Sequence, residues 1–241
     1  MKKIIAIAVI ALIWSCKKEE KTPSIAETMK TYSIDQMMDN EAIGGGSFSP
    51  DKSKLLISSN RSGIYNMYTI PSTGGEMVPI TQSDSSSVFS ISYFPKDERM
   101  LFRMDNNGDE IYHIFVMETD GTHKDLTPEE GARSLFYQWS QDRASFFYGS
   151  NKRDKRFMDL YEMDLGNMES KLVYQNEDGY DVSAISPDKK FVSLSKSINT
   201  NDNDLFLYNL ETKELTRINE TQSGNNAQDF SHDGSAFYYT T

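Results

Sequence analysis

The 241-residue chain holds few of the residues on which nucleophilic or redox chemistry depends. Cysteine occurs once, at Cys16, so no intramolecular disulfide can form. Histidine occurs three times, at His113, His123 and His232, in separate segments, so no Ser-His-Asp grouping can be argued from them. A Gly-x-Ser-x-Gly elbow is also missing, since Gly45-Gly46-Ser47 lacks the second glycine. The sequence therefore assigns no catalytic residue.

A run of apolar residues long enough to span a bilayer is missing from the N-terminus. Ile4–Trp14 holds 11 residues, whereas a spanning helix needs about 20. The run follows Lys2-Lys3 and ends at Ile13-Trp14-Ser15-Cys16, which resembles a bacterial lipobox. We expect residues 1–15 to be a lipoprotein signal peptide and Cys16 to be lipidated. The alternative is an ordinary signal peptide followed by an incidental cysteine.

Residues 16–43 are predicted to be a tether and lead-in segment. The charged run Lys17–Lys21 suits a solvated tether. It also resembles the surface-export signal of Bacteroidetes lipoproteins. Both interpretations place the protein in the cell envelope, and they leave open whether it faces the periplasm or the exterior. Further on, Ser33–Met38 suits either one helical turn or a lead-in strand.

Positive charge is scarce. The chain has 25 Lys and Arg against 36 Asp and Glu, a formal charge of −11. Nucleic-acid binding requires clustered Lys and Arg, so nucleic acid is excluded as a partner. Adsorption to an anionic membrane face is disfavoured for the same reason. The expected membrane attachment is the N-terminal lipid anchor alone.

What the chain does have is a repeated four-residue motif. Phe48-Ser49-Pro50-Asp51 returns in related form four times, and its aspartate recurs at intervals of 46, 45, 46 and 45 residues. The five aspartates are Asp51, Asp97, Asp142, Asp188 and Asp233. A near-constant period in this range indicates a repeat architecture. Equivalent residues on successive repeats lie far apart, so we interpret these aspartates as turn residues and not as catalytic carboxylates.

Each repeat predicts four short strands separated by turns. Val88–Phe94 alternates apolar and polar residues, which is the strand period, and an apolar second strand such as Met100–Met104 follows the Asp turn. Four strands at this period predict an all-β fold, a β-propeller of four-stranded antiparallel blades. The predicted blades, four complete and one partial, cover residues 44–83, 84–129, 130–175, 176–220 and 221–241.

The fifth repeat stops at Thr241 after two strands. Four and a half blades would leave unpaired strand edges, which are prone to aggregation. We therefore expect the chain to be the N-terminal part of a longer protein.

The repeated motifs of residues 44–241 resemble those of a known family. The Phe-Ser-Pro-Asp motifs and the Gly-Gly…Leu-Thr motifs at the ends of the repeats resemble those in the blades of TolB-type and prolyl oligopeptidase propellers. Asn107–Ile114, Asp125–Pro128 and the lead-in Tyr32–Met38 are similar to segments of the peptidase family. The resemblance implies a propeller that caps an α/β-hydrolase domain and restricts its Ser-Asp-His site to peptides. Glu129-Glu130 is the nearest match to the acidic pair of the dipeptide-trimming members, but it lies in an inter-blade loop, so that role is not transferred.

The function we expect is the propeller part of an exported prolyl-oligopeptidase-like serine peptidase, which gates and selects peptide substrates. The catalytic domain is not encoded in these residues, so whether the chain counts as an enzyme stays open. The alternative is a non-catalytic TolB-type lipoprotein that binds protein partners in the envelope. A third possibility is a carbohydrate or peptide ligand in the central channel. We expect no cofactor, and no metal at the Asp105–Glu110 or Asn201–Asp204 loops, which lack EF-hand spacing.

Overall fold

The computed structural model describes residues 30–220 and 223–241. The predicted signal peptide and Cys16 lie outside the described residues. Residues 30–40 belong to one unit of the chain and 41–241 to a second. In the first unit a helix, α1 (Ile34–Met38), is capped by Ser33, whose side chain accepts from the Gln36 amide while the Gln36 side chain accepts from the Ser33 amide. The lead-in segment therefore forms a helical turn and not a strand. Among the described residues no helix has the length and apolar character needed to cross a membrane.

The second unit is built from strands. The first two sheets hold β1 (Ile43–Phe48), β2 (Lys54–Ser59), β3 (Asn66–Pro71), β4 (Val78–Pro79), β5 (Val88–Tyr93), β6 (Met100–Met104), β7 (His113–Met117) and β8 (His123–Asp125). The next two hold β9 (Ser134–Trp139), β10 (Ser145–Ser150), β11 (Asp159–Asp164), β12 (Ser170–Tyr174), β13 (Asp181–Ile185), β14 (Phe191–Asn199), β15 (Asp202–Asn209) and β16 (Leu215–Arg217). The last sheet holds β17 (Asn226–Phe230) and β18 (Phe237–Thr240).

The strands of every sheet follow one another in chain order and pair antiparallel. Four four-stranded sheets and one two-stranded sheet result. This confirms the predicted all-β fold of propeller blades, and in this structure the blades do not close a ring.

The first strand of each blade lies at the inside of the array. β1 contacts β5, and β13 contacts both β9 and β17. Each first strand also carries a register shift against its partner, for instance between Ser90 and Ser92 in β5. Bulges of this kind increase local twist. The first strands therefore gather around a common axis, and the later strands of each blade lie further out.

The hydrophobic core lies between blades. Between the first two blades Leu56 and Met67 pack against Val88 and Phe102. The largest cluster joins the second and third blades, where Phe94 and Leu101 meet Phe146. A blade is too thin to bury both faces by itself, so each depends on its neighbour. This dependence explains why the repeat preserves apolar residues on both faces of the second strand.

Polar contacts fix the inner junctions. Ser90 donates its amide to Ser58 Oγ at 2.7 Å. Trp139 Nε1 donates to Ser92 Oγ at 2.9 Å, and Gln138 exchanges two hydrogen bonds with the backbone of Ile185, both 3.0 Å. Each of these bonds joins the first strand of one blade to its neighbour. They hold the inner strands at defined separations.

Candidate functional site

Four of the five repeat aspartates occupy the same place in the turn between the first and second strands. In each, the Asp Oδ1 accepts the hydroxyl of the serine two residues earlier at 2.6–2.7 Å. It also accepts the amide two residues later at 2.9–3.1 Å. The same serine hydroxyl accepts the amide five residues beyond it at 2.8–3.0 Å. The four are Asp51, Asp142, Asp188 and Asp233.

Asp97 lies one position later than these four. Phe94 donates its amide to the Arg99 carbonyl, as Ser49 does to the Lys54 carbonyl in the first blade. Phe94 therefore stands where Ser49 stands, and Lys96 stands where Asp51 does. Asp97 instead holds the Arg99 guanidinium at 2.9 Å. Aligning the repeated motifs did not predict this one-residue offset of Asp97, because the spacing of aspartates alone cannot show which turn position each one occupies.

Local hydrogen bonds keep the turn carboxylates ionised. The serine hydroxyl and the following amide lower the pKa of Asp51, Asp142 and Asp233 to about 2. Ser186 lowers the pKa of Asp188, and the Arg99 guanidinium lowers that of Asp97. Groups held as carboxylates by their own turns do not exchange protons near neutral pH. This suits turn formation and does not suit acid–base catalysis.

The remaining candidates take structural partners. His113 Nδ1 lies 2.7 Å from Asp125 Oδ2, and Gln141 Nε2 donates to the His232 carbonyl oxygen at 2.8 Å. Glu129 pairs with Lys152 at 3.1 Å. Within residues 30–220 and 223–241 no three His, Cys, Asp or Glu side chains are grouped so as to hold a metal.

A groove with open space lies along the inner strands. Two clefts of about 370 and 550 Å³ share Arg103 and Leu135. We call them together the axial groove. Its walls come from matched positions in successive blades, where a first-strand residue faces a second-strand residue. The lining members of these pairs are Gly44 with Ser58, Phe89 with Arg103, Leu135, and Asp181.

Arg103 breaks the repeat within this groove. It pairs with Phe89 across β5 and β6. The matching second-strand positions of the other complete blades are small residues, Ser58, Gly149 and Ser195. The blade fold therefore does not require an arginine here. Sequence reasoning missed this residue, although a charged residue inside an otherwise apolar second strand was the available signal.

Aromatic rings surround the Arg103 guanidinium. Its Cζ lies 4.9 Å from the Phe89 ring centroid and 5.0 Å from that of Tyr112, and the Phe89 ring lies 4.7 Å from Tyr65. All four side chains are half-buried. Backbone bonds anchor two of the rings at blade junctions, since Tyr65 O accepts from Val88 and Tyr112 O from Ser134. The arginine is thus held in a defined, partly dry position.

The arrangement can bind and orient a ligand. It offers aromatic faces, a cation and an adjacent buried hydroxyl, since the Oγ of Ser134 in the same groove has no hydrogen-bond partner in the described part of the chain. No nucleophile paired with a base lies along the groove in that part.

Comparison with known proteins identifies the blades. Residues 81–241 match the model of the prolyl oligopeptidase N-terminal β-propeller domain. Dipeptidyl aminopeptidase BIII of Pseudoxanthomonas mexicana is 22% identical over 174 residues, which are 70% of this chain and 25% of that protein. The chain thus spans about a quarter of the length of this relative.

Solved structures agree on the fold. TolB from Acinetobacter baumannii superposes with a TM-score of 0.56 at 19% identity, over 80% of this chain and 47% of that one. Prolyl oligopeptidase B from Galerina marginata superposes with a TM-score of 0.57 at 12% identity, over 80% of this chain and 29% of that one. At these identities the likeness establishes the propeller architecture alone.

Proposed function

Because the chain belongs to the prolyl oligopeptidase N-terminal β-propeller domain family, we propose that it is the substrate-selecting part of an exported serine peptidase. In this proposal the propeller admits peptides to its axial groove and excludes folded proteins. The nucleophile, base and acid belong to a hydrolase domain outside residues 1–241.

One observation carries the proposal. The axial groove is lined by half-buried aromatic side chains beside an arginine, and several of the other polar groups of the inner strands are occupied in blade-to-blade hydrogen bonds. Ligand sites combine an apolar lining with a few placed polar groups in this way. An extended peptide, which offers both side chains and backbone polar groups, matches such a lining.

Blocking the groove tests the proposal. Leu135 lines both clefts and is 44% exposed, whereas Leu172 on the outer strand β12 is 45% exposed. We expect Leu135→Trp to weaken binding of a fluorescein-labelled decapeptide by about fivefold or more, because the indole fills the groove. Leu172→Trp is the matched control and is expected to bind as the parent does.

Fluorescence anisotropy measures both affinities. A small folded domain carrying the same label is expected not to bind. Equal effects of the two tryptophans, or binding of the folded domain as tight as that of the decapeptide, would show that the groove does not select peptides.

Attachment to the envelope is part of the proposal. The charge pattern before Cys16 and the tether behind it support a lipidated N-terminus. Protease shaving of intact cells distinguishes the two membrane faces, since a surface-exposed protein is cleaved and a periplasmic one is protected.

The alternative is a non-catalytic propeller lipoprotein with a protein partner, and the superposition on TolB is compatible with it. The coding sequence beyond codon 241 separates the two. A Gly-x-Ser-x-Gly elbow followed by Asp and His supports the peptidase, and a stop codon after one or two further blades supports the alternative.

A further inference from the structure

We infer that Arg103 is the carboxylate-binding residue of the axial groove, and that the peptides it favours carry a carboxylate at their C-terminus or in a side chain. The inference rests on the proposed function, since it names the ligand chemistry of the same groove. It goes further in assigning one residue and one functional group.

The first step is the missing counter-charge. Among the described residues no carboxylate oxygen lies within 4 Å of the Arg103 guanidinium, and no hydrogen bond of its N–H groups is recorded there. Asp105, two residues on, is buried and accepts the backbone amides of Ser87 and Glu110. By contrast Arg99, Arg153, Arg156 and Arg217 are each paired with an aspartate. Arg133, which also lines the larger cleft and has no acidic partner among the described residues, is exposed to solvent, whereas Arg103 is half-buried.

The second step is the cost of that unpaired charge. A half-buried cation without a partner has lost part of its hydration and gains little from protein groups. The aromatic rings of Phe89 and Tyr112 offset some of this through cation–π contact. Among the described residues they leave the N–H donors of the guanidinium without acceptors. A ligand that supplies two acceptor oxygens in one plane restores those bonds.

The third step selects the ligand. Guanidinium presents a rigid planar fork that matches a carboxylate bidentately, and these charge-assisted bonds are about twice as strong as neutral ones. The rings hold the fork in place, so less side-chain freedom is lost on binding. Glu110 lines the larger cleft together with Arg103 and is exposed, so an acidic group shares the groove with the arginine. It sets a background against which the ligand competes.

Three fluorescein-labelled peptides separate the sources of the carboxylate. The first has a free C-terminus and no acidic side chain, the second is its C-terminal amide, and the third is that amide with one central glutamate. We expect the free acid to bind about tenfold or more tightly than the plain amide. Affinity of the third at the level of the first shows that a carboxylate from either source is bound, and affinity at the level of the second assigns recognition to the C-terminus. Tight binding of the third alone assigns it to side-chain carboxylates.

Variants of the purified protein identify the residue. Arg103→Met keeps the aliphatic stem and is expected to reduce binding of the free acid to the level of the amide. Arg156→Met removes a guanidinium that is already paired with Asp154, and is the matched control. Glu110→Gln is expected to strengthen binding of the acid, because a competing carboxylate is lost. Should Arg103→Met fail to fold by circular dichroism, Arg103→Lys retains the charge without the fork and is expected to bind the acid several-fold more weakly than the parent.

The outcomes are distinct. Equal affinity of the parent for all three peptides, or an equal loss for all three in Arg103→Met, overturns the inference. If Leu135→Trp still weakens those peptides, the proposed function stands without it. Failure of every peptide to bind overturns both.

Discussion

Glu162 is the residue whose replacement tests how the blades are held together. It lies on β11 and is 7% exposed. Ser145 Oγ donates to it at 2.6 Å, and Lys189 Nζ at 2.8 Å. Lys171 Nζ lies 2.9 Å from its second oxygen. Since Lys189 comes from the turn of the next blade, Glu162 joins the third blade to the fourth.

The expected effect of Glu162→Gln is a loss of about 2 kcal/mol of unfolding free energy at pH 7. The glutamine oxygen still accepts from Ser145, so that bond is kept. The Lys171 side chain is 74% exposed, and such a pair contributes only about 0–1 kcal/mol. The Lys189 side chain is 32% exposed, so its charge-assisted bond supplies most of the loss, about 1.5 kcal/mol.

The effect depends on pH with a definite sign. Burial raises the pKa of Glu162, but hydrogen bonds from Lys189, Ser145 and Lys171 outweigh it and hold the pKa below the ordinary value of 4.5. A carboxyl whose pKa is lowered by folding stabilises the folded state above its unfolded pKa. That contribution is lost as the pH falls through the folded pKa. The stability difference between the parent and Glu162→Gln should therefore shrink as the pH falls below 4.5 and through the lower folded pKa.

Urea denaturation at neutral and acidic pH measures both parts. Glu211→Gln is the matched control, because its pair with Lys190 spans 3.9 Å between exposed side chains and should change stability by less than about 0.5 kcal/mol. A Glu162→Gln variant as stable as the parent at pH 7 would refute the reasoning. So would a stability difference that does not shrink as the pH is lowered.

Three further predictions concern packing, the anchor and catalysis. Gly149→Ala places a Cβ 2.5 Å from the Tyr137 hydroxyl oxygen, so we expect a loss of about 1–3 kcal/mol in urea unfolding, largely relieved in a Tyr137→Ala background. Cys16→Ser should abolish incorporation of labelled palmitate and move the protein from the detergent phase to the aqueous phase; unchanged partitioning would contradict lipidation. The 241-residue chain should not react with a fluorophosphonate probe, and labelling would contradict the assignment of the nucleophile to another segment.

The strands and their order could be predicted because the same pattern of strands and turns recurs in every repeat. The five copies of the repeated motif predict five turns, and the alternation of apolar and polar residues on either side of each motif predicts the strands. Boundaries were less predictable where a strand runs past its apolar part. β14 extends to Asn199 and β15 begins at Asp202, so the strand includes part of the predicted Asn201–Asp204 loop. Backbone pairing continues through these polar residues, which hydropathy does not reveal.

The shift at Asp97 had a different cause. The motifs Phe48–Asp51 and Phe94–Asp97 each place an aspartate three residues after a phenylalanine, so spacing alone makes Asp97 match Asp51. In the fold Phe94 is buried between the second and third blades, and Arg99 both closes the turn and contacts the Phe94 ring at 4.4 Å. Packing of the aromatic residue thus decides the register of this turn. No periodicity in one sequence carries that information.

The groove could not be found from the repeat because a repeat reports what every blade needs. At the second-strand position of Arg103 the other complete blades have the small residues Ser58, Gly149 and Ser195. The sheet therefore forms without an arginine at this position. A charged group kept half-buried against aromatic rings reduces stability unless a ligand repays its lost hydration. The departure of one blade from the others at such a cost is therefore the observation on which the proposed carboxylate site at Arg103 rests.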